Sequence, residues 1–115
     1  IKALDLATIN IARGRDAGIP WVMLSAGVTP SQFVRVMEYA YAAGANGFLA
    51  GRAIWWDALQ YFPDMEKFAA QLRQQGCVTL RELDALTLRA GQPWHADYAS
   101  FDSLKAEGDL CAAYV

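Results

Sequence analysis

WVMLSAGVTPSQFVRVMEYAYAAGANGFLAGRAIWW, residues 21–56, decides the fold, because it reads strand, helix, strand, helix without interruption. Trp21-Val22-Met23-Leu24 is a short, almost wholly apolar run, the pattern of a parallel strand covered on both faces. Ser25-Ala26-Gly27 ends it. Thr29-Pro30-Ser31-Gln32 then opens a helix: Thr29 offers an oxygen to an orphan amide, Pro30 has no N–H to lose, and Gln32 reaches back to close a capping box. Phe33, Val34, Met37, Ala40 and Tyr41 recur at helical spacing and mark the buried face, and Gly44 stops the helix by adopting a left-handed conformation. Gly47-Phe48-Leu49-Ala50 is a second apolar strand. The turn Gly51-Arg52 follows it and leads into a helix through Ile54, Trp55 and Leu59.

In α/β domains, ligands collect at the carboxyl edge of parallel strands, where loops meet the first turns of the next helices. Ser25 and Gly27 after the first strand, with Gly51 and Arg52 after the second, bring a hydroxyl, approachable amides and a guanidinium toward one small volume. Helix amino-termini add partial positive charge, and the planar Arg52 fork binds two anionic oxygens at once. These residues outline a phosphate-sized site. On spacing alone, an equally good account is that the glycines serve tight turns and Arg52 is a solvated charge.

Pro20-Trp21-Val22-Met23-Leu24-Ser25-Ala26-Gly27-Val28 and Gly47-Phe48-Leu49-Ala50-Gly51-Arg52-Ala53-Ile54-Trp55 resemble the last two strands of class I tagatose-1,6-bisphosphate aldolases and related sugar-phosphate aldolases. The similarity runs from about Pro20 to near Tyr98. It implies an α/β fold that is part of a (β/α)8 barrel, with two parallel βα units followed by a helical tail. It also implies that Ser25, Gly27, Gly51 and Arg52 bind the phosphate or sulfonate of a small sugar substrate, and that the chemistry is the cleavage of a ketose phosphate by an aldehyde-lyase. No cofactor or metal is implied.

A whole barrel of this kind takes ~250 residues, more than twice the 115 of this chain. The segment is thus expected to need the rest of the barrel or self-association. The Schiff-base lysine of the family stands on the preceding strand, and nothing here matches it: Lys2 lies too close to Ser25, while Lys67 and Lys105 fall in the helical tail. A class I aldolase needs that amine to form its iminium. On these residues no catalytic side chain is assigned, and a non-catalytic phosphosugar-binding module, or an inactive fragment, is the alternative.

Composition excludes several classes. The chain is 55% hydrophobic with a net charge of −2, which describes a globular domain and offers no basic stripe for nucleic acid. No apolar run approaches the ~18 residues of a membrane span, and the amino-terminal residues do not follow a signal-peptide pattern, so the expectation is a cytoplasmic protein. Cys77 and Cys111 are far apart, outside any metal-ligand spacing, and read as free thiols.

Three segments are expected: a leader of different origin at 1–20, the two βα units at 21–62, and a helical extension at 63–115. In the leader, Leu4, Leu6, Ile9 and Ile11 suit a short helix that Gly14 would interrupt. Asp5 to Pro20 resembles a stretch of the animal-type haem peroxidases, in which Asn10 would orient the proximal histidine and Arg13 would approach a haem propionate. Ala17 stands where that family has histidine, and no residue matches its proximal or distal haem histidine, so the stretch is read as a leader without haem function.

In the extension, Asp64 caps a helix with an apolar face of Phe68, Ala69 and Leu72, and Gly76 closes it. Thr79 and Glu82 suggest a second capping box ahead of Leu80, Leu83, Leu86 and Leu88. These helices are expected to cover the strands. Phe101 to Val115 reads as a short helix around Leu104, broken at Gly108. His95 is the only histidine and reads as a surface loop residue. Glu38 lies too far down its helix to meet the anion site, and Asp57 is expected at most to orient Arg52.

Overall fold

A computed structural model of the chain describes residues 3–96 together with Tyr98, Ser100 and Asp102. The elements are α1 (Ala3–Asp16), β1 (Val22–Leu24), α2 (Pro30–Ala42), β2 (Gly47–Leu49), α3 (Arg52–Trp55), a 3-10 stretch (Trp56–Tyr61), α4 (Met65–Gln71), a π-helical stretch (Leu72–Gly76) and α5 (Cys77–Ala90). The helix expected around Leu104, together with Lys2, Lys105 and Cys111, lies outside the described residues.

The strands pair in parallel, with Val22 opposite Gly47, Met23 opposite Phe48 and Leu24 opposite Leu49. Asn46 fixes the start of the ladder, because its carboxamide oxygen accepts from the Trp21 amide at 2.9 Å while its own amide donates to the Trp21 carbonyl at 2.8 Å. The two strands are joined through α2. Its capping box forms as the sequence implies: the Gln32 amide donates to Thr29 Oγ1, and the Thr29 amide donates to Gln32 Oε1. At the other end Gly44 takes φ 90°, and the amides of Gly44 and Ala45 donate to the carbonyls of Tyr41 and Ala40, which terminates the helix in a Schellman motif.

The core lies between α2, one face of the sheet and α5. Phe33, Met37 and Leu83 are fully buried, and Phe33 meets the Phe48 ring edge-on at 6.2 Å. Val36 belongs to this face too, whereas Val34 is only half-buried. Each fully buried side chain of this size contributes about 1.5–3 kcal/mol. The Tyr41 hydroxyl donates to Thr87 Oγ1, which in turn donates to the Leu83 carbonyl, so α2 and α5 share one polar link inside their contact. Burial pushes the Tyr41 phenol above its ordinary pKa; the Thr87 hydrogen bond opposes this and Asp84 adds to it.

The structure corrects several expectations. β1 is covered on one face only: Met23 is 2% exposed, but Val22 and Leu24 are 42% and 57% exposed, and Leu49 on β2 is 60% exposed. Alternate strand residues point to opposite faces, and the described helices pack on one of them. α5 does not cover the strands but packs chiefly on α2 and also meets α3, so helix stacks on helix. Consequently Leu83 and Leu86 are buried while Leu80 and Leu88 are exposed.

Neither Gly14 nor Gly76 ends a helix. α1 runs through Gly14, where the Trp21 ring lies so close that a Cβ would collide with it. Gly76 keeps helical dihedrals (φ −60°, ψ −47°) and is buried; a Cβ there would stand 3.1 Å from the Ile54 carbonyl oxygen. Residues 65–90 therefore form one helical run, widened at Leu72–Gly76, and Thr79 lies buried inside it rather than capping it. Asp64 does cap α4, accepting from the Lys67 amide, but Phe68, Ala69 and Leu72 are only half-buried. The helix expected through Leu59 is α for four residues and then tightens to 3-10.

α1 is docked rather than loose. Ala7 is buried in the core and Ile11 packs against it. Gly14→Ala should therefore destabilise the fold by about 1–3 kcal/mol, although the same change in an open helix stabilises by about 1 kcal/mol. Denaturant unfolding of the two proteins gives the sign directly.

Candidate functional site

Parallel pairing puts the two strand ends side by side. The Ser25 amide donates to the Leu49 carbonyl at 3.1 Å, which extends the ladder one residue past β1 and ties the first turn to the end of β2. The chain then reverses within Ser25-Ala26-Gly27-Val28, where the Val28 amide donates to the Ser25 carbonyl at 3.1 Å. Both central residues have positive φ, 47° at Ala26 and 82° at Gly27. Gly27 meets that requirement without cost, whereas Ala26 is held there by the hydrogen bonds on either side of it.

Arg52 begins α3 after Gly51, whose carbonyl accepts from the Ile54 amide at 2.8 Å. From this position the guanidinium reaches across to the first turn. A Cβ on Gly27 would lie 3.7 Å from Arg52 Nη2, in ordinary van der Waals contact, which places the guanidinium directly beside the first turn. The two turns enclose a cavity of about 200 Å³ lined by Gly27, Val28, Thr29, Pro30, Arg52, Ala53, Trp56 and Asp57.

Of the four residues expected at an anion site, Gly27 and Arg52 line this cavity. Ser25 and Gly51 do not. Ser25 is buried at 7% exposure and anchors the turn through its backbone, and Gly51 supplies the turn into α3. Thr29, Trp56 and Asp57 line the cavity as well. Their signal in the sequence was adjacency to the two turns, since each lies within five residues of Gly27 or Arg52.

Asp57 shares the cavity with Arg52, but among the described residues neither side chain has a hydrogen bond or ion pair, so Asp57 does not orient Arg52 through a salt bridge. Lys67 pairs with Asp64 at 3.2 Å on the surface of α4, far in sequence from either turn. His95 is exposed in a turn, its ring edge-on to Trp94 at 5.7 Å. Among the described residues no cluster of three or more His, Cys, Asp or Glu side chains could hold a metal ion, and no helix is long and apolar enough to cross a membrane.

Gly27→Ala should destabilise the protein by about 1–2 kcal/mol through left-handed strain and set a methyl group against the guanidinium. Gly44→Ala has similar strain with nothing within 4 Å of the added carbon. Unfolding both in urea isolates the strain they share.

Residues 6–57 match the sequence profile of the DeoC/LacD family aldolases. That match begins within the stretch read as a leader and ends at Asp57. The chain is 36% identical over 80 residues to tagatose 1,6-diphosphate aldolase 2 of Streptococcus mutans, covering 66% of this chain and 24% of the relative. It is 33% identical over 87 residues to the tagatose 1,6-diphosphate aldolase of Lactococcus lactis (72% and 27%), and 32% identical over 90 residues to that of Listeria monocytogenes (75% and 27%). The chain thus spans about a quarter of the length of the curated relatives it matches. Residues 6–57, which hold both strands and both turns, are a segment related to the DeoC/LacD family aldolases.

Proposed function

We propose that the cavity between the two turns holds the phosphate of a sugar phosphate. In this reading the chain is the phosphate-binding portion of a class I, Schiff-base aldolase that cleaves a ketose bisphosphate into two three-carbon units. The observation that carries it is the placing of the Arg52 guanidinium over Gly27 at the shared carboxyl end of two paired parallel strands. Both strands and both turns fall in the segment related to the aldolases, and the relatives' names specify a sugar bisphosphate.

In the mechanism this implies, Arg52 donates two parallel hydrogen bonds to phosphate oxygens, and the turn after β1 offers unobstructed backbone beside them. Binding the phosphate remote from the scissile bond fixes the ketose carbonyl relative to an amine supplied by sequence beyond this segment. The sheet face bearing Val22, Leu24 and Leu49 suits the lining of a partial (β/α)8 barrel, packed against further strands or against a second chain. A cytoplasmic setting accords with a metabolic phosphosugar.

Arg52→Ala should weaken binding of dihydroxyacetone phosphate by at least about 1 kcal/mol, roughly fivefold, in a calorimetric titration. Unchanged affinity would reject the site. Borohydride added with dihydroxyacetone phosphate should leave this chain unlabelled, since none of its three lysines matches the family's Schiff-base position. A covalent adduct would show a nucleophile within these residues. Binding without chemistry would equally suit a non-catalytic phosphosugar-binding module, so the same titration repeated on the chain together with the remainder of a barrel separates the two by whether an adduct then forms. A haem role for Asn10 and Arg13 is the weaker account of residues 5–20: most of that stretch lies inside the aldolase-related segment, and Ala7 packs into the core.

A further inference from the structure

Two opposite charges line the same small cavity, and among the described residues neither is neutralised by a partner. Arg52 and Asp57 both border the space of about 200 Å³ between the turns without forming an ion pair with each other. A cation alone would favour any anion of the right size. A carboxylate beside it changes the selection, because an ionised carboxylate only accepts hydrogen bonds and repels the lone pairs of a ligand that also only accepts.

We propose that Asp57 makes this cavity selective for an anion that carries its own donor, a phosphate monoester with one proton, over a sulfonate of the same charge and shape. The inference rests on the phosphate reading of the site and narrows it. In the complex, Arg52 donates to two phosphate oxygens while the P–OH donates to the Asp57 carboxylate. A sulfonate offers three acceptor oxygens and no proton, so one of them faces the carboxylate unpaired. Asp57 here is a specificity-determining residue and takes no part in bond cleavage.

Methyl phosphate and methanesulfonate are the matched probes. At about pH 5 both are predominantly singly charged, since the second phosphate ionisation lies near pH 6. Trp56 lines the cavity, so tryptophan fluorescence of the 115-residue chain reports occupancy. The wild-type chain should bind methyl phosphate at least about fivefold more tightly than methanesulfonate, the scale of one hydrogen bond. Asp57→Asn, an isosteric change at an exposed position, supplies an amide that donates to sulfonate and should bring the two affinities within about twofold.

Equal affinities in the wild type, or a preference unaltered in Asp57→Asn, would overturn the inference while leaving the anion site standing, provided Arg52→Ala weakens both probes. Loss of neither probe in Arg52→Ala, or no binding of either to the wild type, would overturn the phosphate reading itself.

Discussion

Two strands of three residues each hold the turns bearing Gly27 and Arg52 together, and that pairing is the constraint on which the molecule depends. Asn46 secures the ladder at one end by exchanging hydrogen bonds with Trp21, and the Ser25 amide extends it at the other onto the Leu49 carbonyl. Because the register is fixed at both ends, the residues that follow each strand have little freedom in direction. Gly27 and Arg52 meet for that reason. A slip of one residue would turn Met23 and Phe48 away from α2 and separate the turns.

The sheet is too small to be stable on its own, and its stability is borrowed from helices. α2 covers one face through Phe33 and Met37, α5 lies against α2, and α1 closes the side where Trp21 packs on Gly14. The opposite face presents the exposed aliphatic side chains of Val22, Leu24 and Leu49. Among the described residues, one sheet thus carries a helix-covered face and an exposed aliphatic one.

The central segment was legible because its signals are local. Thr29-Pro30-Ser31-Gln32 contains its own capping chemistry, Gly44 its own stop, and the strands their own apolar runs; the turns bearing Gly27 and Arg52 follow from these without knowledge of the rest of the chain. The glycines at 14 and 76 were misread because sequence carries no sign of why a side chain is missing. At Gly44 the reason is a backbone dihedral, which nearby residues reveal. At Gly14 and Gly76 it is the approach of Trp21 or of Ile54, each contributed by another element. Likewise Thr79 and Glu82 have the spacing of a capping box, but packing of α5 on α2 favours an unbroken helix and buries Thr79 within it. Of the other cavity residues, Thr29 reads in the sequence as a helix cap and Asp57 at most as a partner of Arg52, while Trp56 carries no polar signal of its own.

The widened turn at Leu72–Gly76 also packs against α3. α3 is only four residues long, and the carbonyl of Ile54 within it abuts Gly76, so the short helix bearing Arg52 rests on the long helical run much as a lever rests on a fulcrum. The Ile54 and Leu72 side chains crowd the same point, 3.3 and 3.5 Å from where a Cβ on Gly76 would stand. Bulk introduced at residue 76 would press on Ile54, two residues from Arg52, so a position outside the cavity bears on the short helix that carries the guanidinium.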